Sequence, residues 1–284
     1  MQPFAYARAS TLADAIAAAA QPDAMLLAGG TELVNWMKEG IAAPRRLVDI
    51  NGIPGIGAIA ADDGGLRVGT LARLSEIARH PAVRAGFPAI AQALDRSASQ
   101  QIRAMASLGG NLMQRTRCPY FRAEAALPCN KRRPGSGCAA IGGEDRSAAV
   151  FGGSGHCVAT HPSDVAVALA ALDAVVEVEG PGGARSIRAA AFHRLPGDAP
   201  ERDTELGPGE IITAVTVPAS PLAARSAYLK VRERASYEFA LVSAAVGLDL
   251  EGGVVRDARI ALGGVAPRPW RLPAAELALR GVPL

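Results

Sequence analysis

The sequence predicts a mixed α/β protein with a C-terminal α+β lobe, and three features carry that reading. Strand and helix patterns alternate through the first part, a glycine pair sits where a strand runs into a helix, and strand patterns dominate the final part. The 284 residues exceed a typical single domain, and an apolar content of 49% suffices for a core of two packed lobes.

Taken in order, Ser10 and Thr11 precede Leu12 to Ala20, an N-cap followed by strong helix formers that should stop near Pro22. Ala24 to Ala28 reads as a short buried strand entering Gly29-Gly30. Thr31 to Lys38 then spaces Leu33, Val34 and Met37 along one helical face, and Arg46 to Ile50 is a second strand. From Ile56 to Thr70 two short strands flank the turn Asp62-Asp63-Gly64-Gly65, followed by helices at Leu74 to Arg79 and Phe87 to Leu94. Between Asn111 and Pro162 the hydrophobic period disappears, in a stretch far longer than ordinary connections, which calls for an internal staple. Ser163-Asp164 is a capping pair for a helix from Val165 to Leu172, and Ala174 to Val178 is a strand. Gly180 to Gly209 is rich in turn residues, Glu210 to Val217 is a strand, and Pro221 is a plausible boundary. Strands at Tyr228 to Arg232, Leu241 to Leu250 and Ala258 to Val265, then a helix from Pro273, complete the α+β lobe.

Charge narrows the functional classes. Thirty Lys and Arg against 27 Asp and Glu leave +3, too small and too scattered for a nucleic-acid or anionic-membrane surface. No window approaches the ~20 apolar residues of a membrane span. Met1-Gln-Pro-Phe-Ala-Tyr does not read as a secretion signal, so the expected compartment is the cytoplasm, or the periplasm by co-export with a signal-bearing partner.

All four cysteines, Cys118, Cys129, Cys138 and Cys157, fall inside the irregular stretch, with ten, eight and eighteen residues between them. Three readings compete: two disulfides, a four-cysteine zinc knot, or a 4Fe-4S cluster. Structural zinc usually shows close C-x2-C pairs, which are absent. Arg115, Arg117, Arg122, Lys131, Arg132 and Arg133 lie near the first three thiols, where cations would offset an anionic cluster; the same residues also suit a solvated basic loop.

Leu26-Leu27-Ala28-Gly29-Gly30-Thr31-Glu32-Leu33-Val34 places bare backbone N–H groups at a strand-to-helix junction, suited to a phosphate and equally to a plain tight turn. It matches neither G-x-G-x-x-G nor the P-loop. A second pair, Ser107-Leu108-Gly109-Gly110-Asn111, could close over the same ligand, and two such turns suit a diphosphate cofactor. Asp164 is suited to a ribityl or ribose hydroxyl or to capping its helix, and Lys230 to flavin or phosphate or to an exposed strand position. His80, His156, His161 and His193 form no metal motif, and His161 beside Pro162 reads as a turn histidine. Trp36 and Trp270 read as anchors of a core or an interface.

The ordered set A-G-G-T-E-L, S-L-G-G-N-L, S-D and the lysine of Y-L-K resembles the FAD-binding subunit of the xanthine dehydrogenase family, over essentially the whole chain. Gln114 to Arg122, Pro128 to Arg132, Pro134 to Cys138 and Ala159 to Asp164 look like the iron-sulfur insert of bacterial periplasmic aldehyde oxidoreductases. The resemblance implies a two-lobed FAD-binding fold of the vanillyl-alcohol oxidase (PCMH) type at 1–219, with lobes at about 1–55 and 56–219 and the insert at 112–160, followed by a C-terminal flavoprotein domain at 222–284. It implies that Leu26 to Val34 wraps the FAD diphosphate, that Ser107 to Asn111 forms a second cradle, and that Asp164, Ile212 and Lys230 contact the cofactor. The four cysteines match 4Fe-4S ligands one for one. Ser97 matches a position that is aromatic and shields the isoalloxazine in mammalian enzymes. No catalytic acid–base residue is implied.

The expected partners are a large subunit with molybdopterin cytosine dinucleotide, which hydroxylates aldehydes, and a small subunit with 2Fe-2S clusters, in a heterotrimer passing electrons through FAD to an external acceptor. The alternatives are a non-catalytic zinc scaffold, a free-standing flavin oxidase, and the FAD subunit of a xanthine dehydrogenase or hydroxybenzoyl-CoA reductase.

Overall fold

The computed structural model describes residues 1–284. The chain forms a mixed α/β fold of three sheets. The first is parallel, in the order β1-β3-β2, from β1 (Ala5–Arg8), β2 (Ala24–Leu27) and β3 (Arg46–Asp49). A helix at Leu12–Ala19 links β1 to β2, and its start is fixed by a capping box: the Thr11 hydroxyl accepts from Asp14 N at 3.1 Å while the Asp14 carboxylate accepts from Thr11 N at 3.2 Å. The helix Leu33–Lys38 links β2 to β3 and buries Leu33, Trp36 and Met37. Trp36 therefore takes the inward position expected of Val34, which is only half-buried.

β1 was not expected, because its four residues are all exposed and lack an apolar alternation. It is held by side-chain chemistry: Asp49 accepts from Tyr6 Oη at 2.6 Å and from Arg8 Nη2 at 3.1 Å. β2 is half-buried instead of fully buried, since Ala24, Met25 and Leu26 line a cleft.

The second sheet is antiparallel, in the order β4-β5-β8-β6-β7, from β4 (Ile59–Asp62), β5 (Gly65–Gly69), β6 (Val175–Gly180), β7 (Gly183–Arg188) and β8 (Ile211–Pro218). The expected hairpin turn at Asp62 to Gly65 is present, with Gly64 N donating to Asp62 Oδ1 at 2.8 Å. β7 and the helix Ala189–Phe192 occupy a region read as turns. Only Ile187 of β7 is buried, so the strand carries no alternating signature.

The third sheet, β12-β11-β10-β9, is antiparallel and contains β9 (Ser226–Val231), β10 (Val242–Glu251), β11 (Val254–Gly263) and β12 (Trp270–Arg271), followed by the helix Pro273–Leu279. Every residue of the helix Asp164–Ala171 is buried, in keeping with a helix that is apolar on all sides. It packs against the helix Pro88–Arg96, β10 and β11, and so joins the central part of the chain to the third sheet. Ser163 alone caps it, accepting from Ala166 N at 3.1 Å, which frees the Asp164 carboxylate that had been read as a capping partner.

Residues 113–162 contain one short helix, Pro119–Arg122. No helix is long and apolar enough to cross a membrane.

Candidate functional site

A cleft of about 650 Å3 opens between the first sheet with its glycine turn and the segment from Ser97 to Asn111 that contains the second glycine turn, a volume suited to an organic cofactor. Of the residues expected to bind one, Leu26, Ala28, Gly29, Gly30, Thr31, Glu32, Leu33, Ser107, Gly109, Gly110, Asn111, Asp164 and Ile212 line it. Leu27, Val34 and Leu108 do not. Leu27 packs against the small Leu33, Trp36 and Met37 cluster, and Leu108 belongs to the main core.

The two glycine turns differ in what they offer. The backbone N–H groups of Gly29, Gly30, Thr31 and Glu32 donate to no protein acceptor, so a run of donors at the cleft is left for an anionic ligand. Gly29 is fixed by close approach: a Cβ there would stand 2.0 Å from the carbonyl oxygen of Met105. In the second turn the donors are committed within the protein. Leu108 N donates to Ala72 O at 3.0 Å, Gly109 N to Thr70 O at 2.9 Å, Gly110 N to Ser107 Oγ at 3.2 Å and Asn111 N to Ser107 O at 2.9 Å. The second turn is therefore a wall of the cleft more than a set of donors.

Asp164 lies at the centre of a buried polar network. Oδ1 accepts from Tyr228 Oη at 2.5 Å, and Oδ2 accepts from Lys230 Nζ at 2.8 Å and Ser97 Oγ at 3.0 Å. Burial and the Asp164 charge push the Tyr228 phenol far up, so it stays a proton donor to the carboxylate. Lys230 also donates to Arg96 O at 3.2 Å, and its side chain is 1% exposed. It is neither exposed nor at the cleft surface, and it acts there only through Asp164. Ser97 lines the cleft but is spent on Asp164, so it supplies no aromatic cover.

Two aromatic residues that sequence reasoning missed stand at the cleft: Tyr237 and Phe239, both exposed, on the loop between β9 and β10. The Arg117 guanidinium lies 4.9 Å from the Phe239 ring centroid. No periodic pattern marks the loop, so only the fold brings it to the cleft.

Glu32 is where the cleft meets the cysteine stretch. Its Oε1 accepts from Arg117 Nη1 at 2.7 Å, Arg122 Nη2 at 2.5 Å and Trp36 Nε1 at 2.8 Å. Burial pushes the Glu32 carboxyl pKa up, but Arg117 and Arg122 more than reverse this and leave it below the ordinary value. The rest of the stretch is clamped similarly: Arg122 pairs with Glu39 at 2.9 Å, while Arg115 and Lys131 both reach Asp203 at 2.6 Å.

All four cysteines are free thiols, which overturns the disulfide reading for this structure. Cys129 and Cys138 pair as an isolated antiparallel bridge, and Cys118 and Cys157 feel the electrostatic influence of other thiols of the set. Burial pushes the Cys118 and Cys157 thiols up. Opposing it are backbone N–H groups of Tyr120 and Phe121 at Cys118, and Lys131 with the N–H of Ala159 at Cys157. Ala159 N lies 3.5 Å from Cys157 Sγ. No three His, Cys, Asp or Glu side chains converge as ligands of a single ion. The N–H groups aimed at the Cys118 and Cys157 sulfurs suit anionic thiolates.

His161 is no turn histidine. It is half-buried, and its ring lies against that of the buried His193 with centroids 3.8 Å apart and the planes tilted by 38°, while His193 Nε2 meets Leu112 O at 2.9 Å. Burial lowers both pKa values, His193 to about 4, so the pair stays neutral at physiological pH. Trp270 stacks on Phe151 at 5.5 Å, tying the end of the cysteine stretch to the third sheet.

Comparisons with known proteins agree with this geometry. The family model described as the FAD binding domain in molybdopterin dehydrogenase matches residues 2–220, and that of the CO dehydrogenase flavoprotein C-terminal domain matches residues 227–284. The chain is 49% identical over 282 residues to the aldehyde oxidoreductase FAD-binding subunit PaoB of Escherichia coli (strain K12), covering 98% of this chain and 86% of that one. It is 28% identical over 282 residues to the putative xanthine dehydrogenase FAD-binding subunit XdhB of the same organism, covering 98% and 80%. Among solved structures, the carbon monoxide dehydrogenase of Hydrogenophaga pseudoflava superposes with a TM-score of 0.75 at 27% identity, covering 100% of this chain and 82% of that one. The chain belongs to the family of FAD-binding medium subunits of the molybdenum hydroxylases.

Proposed function

We propose that the chain carries FAD in the cleft and a 4Fe-4S cluster on Cys118, Cys129, Cys138 and Cys157, and that it delivers electrons from a molybdenum-dependent aldehyde oxidoreductase to an external acceptor. The observation that carries this reading is the run of free N–H donors from Gly29 to Glu32, which lines a cofactor-sized cleft together with the second glycine turn. Bound FAD would supply the chemistry of a junction, taking single electrons from iron-sulfur centres and passing on one or two. The chain's own residues hold and orient. Gly29, packed against the Met105 carbonyl, and Gly30, at a positive φ, set the turn whose N–H groups would hold the diphosphate; Gly109 and Gly110 shape the adjoining wall, and Ile212 closes the apolar side. Asp164, held by Tyr228 and Lys230, offers a fixed carboxylate to a hydroxyl of the cofactor.

The higher identity to an aldehyde oxidoreductase subunit than to a xanthine dehydrogenase subunit supports aldehydes as the substrate class. In this reading the aldehyde is oxidised on a large subunit bearing molybdopterin cytosine dinucleotide, and a small subunit with 2Fe-2S clusters feeds this chain. Domain limits at 1–219 and 222–284, with an insert at 112–160, accord with this division.

Anaerobic addition of an aromatic or aliphatic aldehyde to the purified assembly tests the role. Bleaching of the flavin absorbance only when the large and small subunits are present supports it; aldehyde oxidation by this chain alone would make it a free-standing flavin oxidase.

A further inference from the structure

Glu32 stands in an unusual place for a carboxylate. It lines the cleft at the end of the free N–H run, where an anionic diphosphate would sit, and it belongs to the first sheet's lobe; there Trp36 donates to it, but its cationic partners come from the cysteine stretch. Its side chain is 14% exposed, so its charge is poorly screened by water. Only Arg117 and Arg122 neutralise it, and Arg117 is covalently next to Cys118. If the cysteine stretch loosened, those two cations would leave and a bare carboxylate would face the cofactor's phosphates.

We propose that Glu32 is a positioning residue that couples the two cofactor sites: the folded, metal-loaded cysteine insert neutralises Glu32 and so admits FAD, and bound FAD in turn holds the insert closed. The coupling rests on the reading of the two sites under Proposed function. Because coupling of two equilibria is reciprocal, FAD must protect the cluster by the same factor by which the cluster tightens FAD. The charge on Glu32 carries the effect, so removing that charge uncouples the sites without removing either.

The test is a double-mutant cycle on the full chain within its assembly, after FAD is stripped, with rebinding of added FAD followed by quenching of flavin fluorescence. Cys129→Ser is expected to weaken FAD roughly tenfold, within the usual range of coupling between sites. In the Glu32→Gln background the same cysteine change should leave FAD affinity unaltered. At equilibrium with a competing chelator, FAD should likewise tighten iron retention roughly tenfold in the native protein and not in Glu32→Gln. Arg117→Gln gives an independent measure: FAD weakens while iron stays bound.

An equal loss of FAD affinity from Cys129→Ser in both backgrounds, or none in either, overturns the proposal. So does Arg117→Gln with iron and FAD affinity both native. A native protein holding neither FAD nor iron would instead defeat the cofactor reading, and the coupling with it.

Discussion

Around the glycine turns the polypeptide shapes its site with backbone, whereas around the cysteines it does so with side-chain charge. Gly29 meets the Met105 carbonyl with no room for a Cβ, and strands and core helices form the cleft walls. The cysteine stretch has one short helix and is fastened by Arg115, Arg117, Arg122 and Lys131 to Glu32, Glu39 and Asp203. A backbone-built site tolerates loss of its ligand, because the sheets persist without it. If the thiols hold the proposed cluster, a site built from ion pairs and thiols depends on that ligand for order, as small metal sites generally do.

The largest expected effect follows from that dependence. Cys129→Ser should lose essentially all iron and render residues 113–162 sensitive to protease, while sheet content by circular dichroism stays native. Retained iron would remove Cys129 from the ligand set.

Next in size is Asp203→Asn. It leaves Lys131, whose side chain is 7% exposed, without its charge partner. Because Asp203 is only half-buried and Lys131 keeps its bond to Pro200 O, the loss should fall below the ~3–5 kcal/mol of a fully buried pair, read here as early loss of iron on heating while FAD fluorescence lags behind. Simultaneous loss of both would merge the two regions into one cooperative unit.

Gly29→Ala strikes the other region. Its Cβ would collide with backbone that cannot turn aside, at a cost of about 1–3 kcal/mol, and FAD content should fall far more than iron content. Gly109→Ala should be milder, because its first obstacle is the Thr70 hydroxyl at 1.9 Å, a side chain able to rotate. Equal damage from both would mean that the second turn is as rigidly fixed as the first.

The smallest effect is that of pH. Glu32 and Asp203 both titrate below their ordinary values because arginine or lysine partners outweigh burial. Their pairing thus stabilises the native state above the unfolded pKa and is lost as pH falls through the lower folded value. The neutral His161–His193 pair acts earlier: burial lowers both imidazoles, His193 to about 4, so its stabilisation is complete above the ordinary imidazole value and is lost as pH falls toward about 4. Iron retention should be flat above about pH 6.5, decline gradually below it as the histidines protonate, and fall further below about 4 as the carboxylates do.

What the sequence revealed follows the same division. The strand, glycine turn and helix at Ala24 to Lys38 were legible because period and turn chemistry are local, and the cysteine stretch was legible because periodicity vanished there. β1 and β7 were not, since exposed edge strands carry no burial pattern. Nor were the contacts of Glu32 with Arg117 and Arg122, which join residues 85 and 90 positions apart. Asp164 shows the limit well. Its place at a helix start was read correctly, but its bonds to Ser97, Tyr228 and Lys230 depend on three elements distant in the chain.

The most direct test of the whole account is flavin and metal analysis of the chain purified with its native partners. The account predicts a yellow-brown protein releasing about one FAD and about four iron per chain. A colourless protein that holds zinc and no flavin would contradict it.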